Sequence, residues 1–144
     1  MYIISACLLG VNCKYNGGNN YCKQVKQISE NHNYISVCPE VAGGLSAPRI
    51  TAEIRGNKVY QSDGKEVTEY FINGAEMDFK KAIRSAREAG EEIELAILKA
   101  RSPSCGAGKI YDGTFSGSII NGDGVFAKLL KHNGIKVITE EELK

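Results

Sequence analysis

The chain opens Met1-Tyr2-Ile3-Ile4-Ser5-Ala6-Cys7-Leu8-Leu9-Gly10, and the first half of that stretch decides the fold class. Tyr2–Ala6 is short, apolar and β-branched, and it runs into a cysteine and a glycine. An unbroken apolar run of this length fits a strand buried on both faces, as in a parallel sheet covered by helices. Similar runs recur at Tyr34–Val37, Leu95–Leu98 and Ile135–Ile138.

The segments between them read as helices and turns. Asn19–Asn31 has Val25 and Ile28 on one face, as a surface helix would. Val67–Ala89 is strongly helical, with Phe71, Ala75, Phe79, Ala82, Ile83 and Ala86 at steps of three and four and Gly90 placed to stop it. Val125–His132 forms a short helix with Val125, Leu129 and Leu130 inward, closed by Gly134. Ile50–Gln61 alternates like a hairpin that turns at Arg55-Gly56-Asn57. Arg101–Gly124 is a long connection rich in glycine and serine. This alternation predicts a single α/β domain over residues 1–144: a mostly parallel, Rossmann-like four-stranded sheet covered by helices, with a hairpin insertion.

Composition narrows the function. With 144 residues, 42% hydrophobic and 24% charged, the chain has the makeup of one globular domain. A net charge of +1 gives no global attraction to nucleic acid or to a membrane surface. Met1–Gly10 lacks the basic flank of a signal peptide, and no apolar run approaches membrane-spanning length. The expected compartment is therefore the cytoplasm, with neither a nucleic-acid nor a membrane partner. Stable disulfides are uncommon there, so five cysteines point to metal binding or thiol reactivity.

Three cysteines stand apart. Cys7, Cys38 and Cys105 each follow a predicted strand, and in an open parallel sheet the carboxyl ends of the strands share one edge where ligands bind. Cys13 lies in the same first loop and reads as an alternative ligand or a spare, while Cys22 falls in the first predicted helix, where packing is its expected role. No Cys-x-x-Cys pair occurs, which speaks against a zinc ribbon or thioredoxin motif. Gly10, Pro39, Pro103 and Gly106 supply tight turns beside the three cysteines. Three thiolates without an obvious fourth ligand leave an open coordination position, as a catalytic centre requires. Spacing alone leaves a catalytic metal site and buried free cysteines equally open. A cluster carrier, a redox sensor resolved by Cys13 or Cys22, and a structural zinc protein are the other readings. His32 and His132 each follow a predicted helix and are expected to be exposed.

A set of motifs then resembles the thiouracil desulfidase (TudS-type) family. They are Ser5-Ala6-Cys7-Leu8-Leu9-Gly10 with Tyr15-Asn16-Gly17; Cys38-Pro39-Glu40 with Gly43-Gly44-Leu45 and Pro48-Arg49; Leu98-Lys99; Ser102-Pro103-Ser104-Cys105-Gly106; and Ile110-Tyr111-Asp112-Gly113-Thr114-Phe115. The resemblance spans nearly the whole chain. It implies an enzyme that removes sulfur from thiolated uracil, with a [4Fe-4S] cluster held by Cys7, Cys38 and Cys105 and one iron free. It selects Cys7 over Cys13, a position that is apolar in some members. It also implies catalytic roles for Glu40 and Ser102. The family commonly has Arg-Tyr-Asp-Gly where this chain has Lys14-Tyr15-Asn16-Gly17, so Asn16 is expected to serve a turn or polar contact. The expected reaction is non-redox hydrolysis that releases sulfide. Asn121-Gly122-Asp123-Gly124 precedes the last helix, and Lys14, Arg49, Lys99, Arg101 and Lys109 lie near the same edge. Together they make a thiouridine nucleotide a further expected substrate, bound by phosphate at that helix end.

Overall fold

In the computed structural model, which describes residues 1–143, the chain runs β1 (Tyr2–Ser5), α1 (Lys23–Ser29), β2 (Tyr34–Val37), α2 (Pro39–Ala42), β3 (Ala52–Arg55) and β4 (Lys58–Gln61). It continues through α3 (Thr68–Ala89), β5 (Leu95–Leu98), β6 (Lys109–Tyr111), β7 (Ile119–Asn121), α4 (Val125–His132) and β8 (Val137–Thr139). The four apolar runs pair in the order β2-β1-β5-β8, every neighbour parallel, with Tyr2 beside Tyr34 and Leu95, and Leu98 beside Thr139. The chain leaves β1 toward β2 and then returns past it to β5. The crevice at the carboxyl ends of β1 and β5 is therefore the topological switch point, where open α/β sheets bind ligands.

Strand alternation splits the core into two layers. Ile3, Ala96 and Leu98 pack with Ala75 and Ala82 of α3 and with Phe126, Ala127 and Leu130 of α4. On the other face Ile4 and Ile97 pack with Leu8, Cys22 and Val25. On α3 the buried stripe is Phe71, Gly74, Ala75, Asp78, Ala82 and Ala86, with Phe79 and Ile83 only half-buried. On α4 Leu130 is buried as expected, Val125 and Leu129 pack half-buried against the same core, and Phe126 and Ala127 are buried as well.

Other boundaries differ from expectation for local reasons. The first helix starts at Lys23, not Asn19, because the Asn19 carboxamide accepts the Tyr21 N–H at 3.0 Å and offers that backbone an alternative to the helix. Cys22 sits just before the helix in extended conformation, and its expected packing role holds. The fourth strand is Val137–Thr139, displaced along the chain from Ile135–Ile138. The hairpin of β3 and β4 forms as expected, turning at Gly56-Asn57. A second hairpin, β6 with β7, lies inside the Gly- and Ser-rich connection. Its strands are three residues long, too short for periodicity to reveal. Both hairpins are antiparallel and separate from the main sheet, which is parallel throughout. No helix among the described residues is long and apolar enough to cross a membrane.

Candidate metal and active site

Each cysteine behind a strand is held by a different local device. Cys7 lies in a 3₁₀ turn, Ala6–Leu9, closed by Gly10 at φ +92°, a left-handed conformation that glycine adopts at little cost. The following loop folds back onto this turn: the Asn20 N–H donates to the Cys7 carbonyl at 3.0 Å and the Cys22 N–H to the Leu8 carbonyl at 2.9 Å.

Cys38 directly precedes α2, and Pro39 occupies the first helical position, where its missing N–H costs nothing. The short helix is pressed against α3 at two glycines. A Cβ on Gly74 would overlap the Pro39 carbonyl oxygen, and one on Gly43 would overlap the Tyr70 carbonyl oxygen. Asp78, on the same stripe of α3, accepts the Cys38 N–H. Its Oδ2 is buried without a partner, and burial raises its pKa.

Cys105 closes a turn organised by Ser102, whose Oγ accepts the N–H groups of Ser104 at 3.2 Å and Cys105 at 3.0 Å. The start of α4 grips the same turn from behind: the Val125 N–H donates to the Pro103 carbonyl, and those of Phe126 and Ala127 to the Ser104 carbonyl. Those amides are thus spent on the Ser102–Cys105 turn and do not face a phosphate, contrary to the expectation for this helix end. Asp123 beside it accepts the Gly108 N–H and the Lys131 ammonium, both at 2.8 Å.

These devices bring the residues to one cavity of about 420 Å³, lined by Cys7, Cys13, Cys38 and Cys105 together with Glu40, Arg49, Lys99, Ser102, Ser104 and others. That volume suits a small organic ligand. Of the five expected cations, Lys14, Arg49, Lys99 and Arg101 line it, whereas Lys109 does not and bonds Asn121 on the second hairpin. Three of the four pair with carboxylates: Arg49 with Glu40 at 3.2 Å, Lys99 with Glu140 at 2.9 Å, Arg101 with Glu141 at 2.7 Å. Asn16 accepts the Gly18 N–H and so shapes a turn. Both histidines are exposed and outside the lining, His32 stacked on Tyr2 with ring centroids 4.2 Å apart.

The electrostatics sort the thiols. The Cys13 thiol lies between Cys7 and Cys38, and its single proton, shared between them, lowers the pKa of each, that of Cys7 to about 7. Cys13 itself is pushed up by the same two neighbours and by burial. Cys38 gains further help from the Val41 amide and the Arg49 charge. Burial pushes the Cys105 thiol up to about 12; a coordinated metal would deprotonate it outright. Among the described residues no group of His, Cys, Asp or Glu is set to hold a single metal ion. Soft thiols from three strand ends around a shared cavity are instead donors suited to an iron–sulfur centre.

Glu40, expected from its place in Cys-Pro-Glu, points its carboxylate at this cavity's far wall. Its Oε1 accepts Arg49 Nε at 3.2 Å, and its Oε2 accepts the Ser104 hydroxyl at 3.0 Å. Sequence reasoning missed Ser104, Asp78 and the Arg49 pairing. Asp78 carried a readable signal, a lone carboxylate on the apolar stripe of a helix. Ser104 was indistinguishable from its neighbours in a serine-rich turn.

The chain is similar to known proteins over nearly its whole length. The model of the 2-thiouracil desulfurase family matches residues 2–142. The uncharacterised protein YbbK of Bacillus subtilis strain 168 is 40% identical over 153 residues, covering 99% of this chain and 97% of that protein. The solved structure of the [4Fe-4S]-dependent thiouracil desulfidase TudS superposes with a TM-score of 0.87 at 38% identity, over 99% of this chain and 91% of that one.

Proposed function

The chain belongs to the 2-thiouracil desulfurase family, and on that premise we propose that it is a [4Fe-4S]-dependent desulfidase that removes sulfur from a thiolated uracil. The observation that carries the proposal is the convergence of Cys7, Cys38 and Cys105 on one cavity that Glu40 also lines. These three cysteines hold the cluster in this reading, and Cys13 remains a protonated neighbour. When bound, the cluster supplies a soft, Lewis-acidic iron with a position open to the thiocarbonyl sulfur.

The reaction is a hydrolysis without net electron transfer. The oxygen of water joins the ring carbon, the C–S bond breaks, and the two protons of water leave with sulfur as hydrogen sulfide. Glu40 takes the first of those protons and returns it. Arg49 and Ser104 occupy one lone pair on each carboxylate oxygen, and a carboxylate has about four such sites, so acceptor capacity remains for water. Ser102 shapes the turn that carries Cys105 and, through Ser104, faces Glu40. The cavity's size suits a free base or a nucleoside. Thiolated nucleotides are substrates only if Lys14 or an arginine freed from its carboxylate binds the phosphate.

Anaerobic reconstitution with iron and sulfide tests this reading. The expected result is a coloured protein that releases sulfide from 2-thiouracil, 4-thiouracil or 4-thiouridine monophosphate. Protein that stays colourless and iron-free removes the cluster. A loaded protein that releases no sulfide from any of the three removes the desulfidase activity.

A further inference from the structure

Ser104 is 2% exposed, and its hydroxyl is bonded within the protein. Its Oγ has three polar side-chain neighbours: Glu40 Oε2 at 3.0 Å, Ser102 Oγ at 3.1 Å and Cys105 Sγ at 3.7 Å. A hydroxyl has one proton to give, and the charge-assisted bond to the carboxylate, the closest of the three, is the strongest use of it. Ser102 already accepts two backbone amides at Oγ, so both of its lone pairs are taken. Its proton therefore points to Ser104 Oγ. The direction of the chain follows: amides of residues 104 and 105 to Ser102, Ser102 to Ser104, Ser104 to Glu40.

Glu40 is thus held at both oxygens from opposite sides, by Arg49 at Oε1 and by Ser104 at Oε2. Arg49 is itself anchored through Nη1 to the Leu45 carbonyl at 3.3 Å, within the segment that follows α2. It travels with α2. Ser104 belongs to the turn after β5, 64 residues from Glu40, and that turn also carries Cys105. Among the described residues, the Ser104 bond is therefore the one that fixes the carboxylate relative to the Cys105 side of the cavity.

We propose that Ser104 is a positioning residue, which sets the orientation of the Glu40 carboxylate against the Cys105 turn; its effect on rate rests on the desulfidase reading. The test uses reconstituted wild type, Ser104→Ala and Ser104→Thr, with iron and sulfide content, kcat and KM for sulfide release from 2-thiouracil or 4-thiouracil, and anaerobic crystal structures. Ser104→Ala is expected to keep the full cluster and to lose about ten- to a hundredfold in kcat, the worth of one hydrogen bond to a charged group. Its KM stays within about twofold, since the bond serves Glu40 and not substrate binding. Ser104→Thr, which restores the hydroxyl, recovers most of the rate. In the Ser104→Ala crystal, Glu40 leaves its single orientation.

Three results overturn the proposal: Ser104→Ala with a full cluster and wild-type kcat, a Ser104→Ala crystal in which Glu40 has not moved, or Ser104→Ala protein that no longer takes up the cluster. The last would mean that the serine supports Cys105 and not Glu40. If loaded wild type releases no sulfide, the desulfidase reading fails alone, and the position of Glu40 in the two crystals still decides the role of Ser104.

Discussion

Replacing Gly74 by alanine should cripple the site from the opposite side of a helix. Gly74 lies within α3, where alanine is normally the better residue by about 1 kcal/mol, so local propensity favours the change. The tertiary contact opposes it. The new methyl would overlap the Pro39 carbonyl oxygen and sit 2.8 Å from Gly43 N and 2.9 Å from the Pro39 carbonyl carbon, where ordinary contact begins at 3.4 Å. All three atoms are backbone and cannot rotate aside. To relieve the overlap α2 must retreat by upward of about 1 Å, a misplacement that can cost on the order of a hundredfold in rate. Cys38 and Glu40 sit at the near end of that helix and move with it. The expected variant folds, loses about 1–3 kcal/mol as overpacked sites do, and takes up iron poorly or turns over at about 1% of wild type. Urea denaturation of the cluster-free protein, iron and sulfide analysis, and sulfide release measure the three effects separately. A Gly74→Ala protein with wild-type stability, iron content and rate would show that the close approach of α2 to α3 does not set the site.

Four further outcomes follow from the same geometry. Glu40→Gln should keep its cluster and lose about 10²-fold or more in sulfide release; retained turnover removes Glu40 from the reaction. Serine at Cys7, Cys38 or Cys105 should abolish cluster loading while Cys13→Ala preserves it, as iron analysis of the four variants will report; an iron-free Cys13→Ala protein would make Cys13 a ligand. In cluster-free protein Cys7 should alkylate with a midpoint near its lowered pKa of about 7, because its thiolate forms below the usual 9.0. Cys13→Ala removes the leading cause of that shift and should move the midpoint upward; an unmoved midpoint contradicts the hydrogen bond. Glu140→Ala leaves the Ala100 N–H and the Lys99 ammonium without their carboxylate, and should cost about 3 kcal/mol in urea denaturation; a loss below about 1 kcal/mol would mean that water replaces the carboxylate.

Much of the architecture was legible because burial on both faces leaves a plain signature. Tyr2–Ser5 and Leu95–Leu98 are buried at nearly every position, Tyr34–Val37 buries Ile35 and Val37, and α3 repeats its apolar residues at helical spacing over many turns. The short strands of the second hairpin escaped because three residues carry too little pattern. On α4 the expected Val125, Leu129 and Leu130 all pack on the core, while the deeper burial of Phe126 and Ala127 depends on the packed sheet.

By itself the amino-acid sequence determined the parallel sheet, the three cysteines at its carboxyl edge, and the motifs that carry the family resemblance. Those properties reside in residue type and local order, which burial and backbone geometry impose one segment at a time. Only the tertiary structure decided that Gly74 is where two helices touch, that Cys13 lies between the Cys7 and Cys38 thiols, that the start of α4 grips a turn and not a phosphate, and that Ser104 closes on Glu40. Each of these is a contact between segments distant in the chain. Such a contact depends on ångström-scale distances and on which partner takes a single proton, and neither is written in the order of the residues.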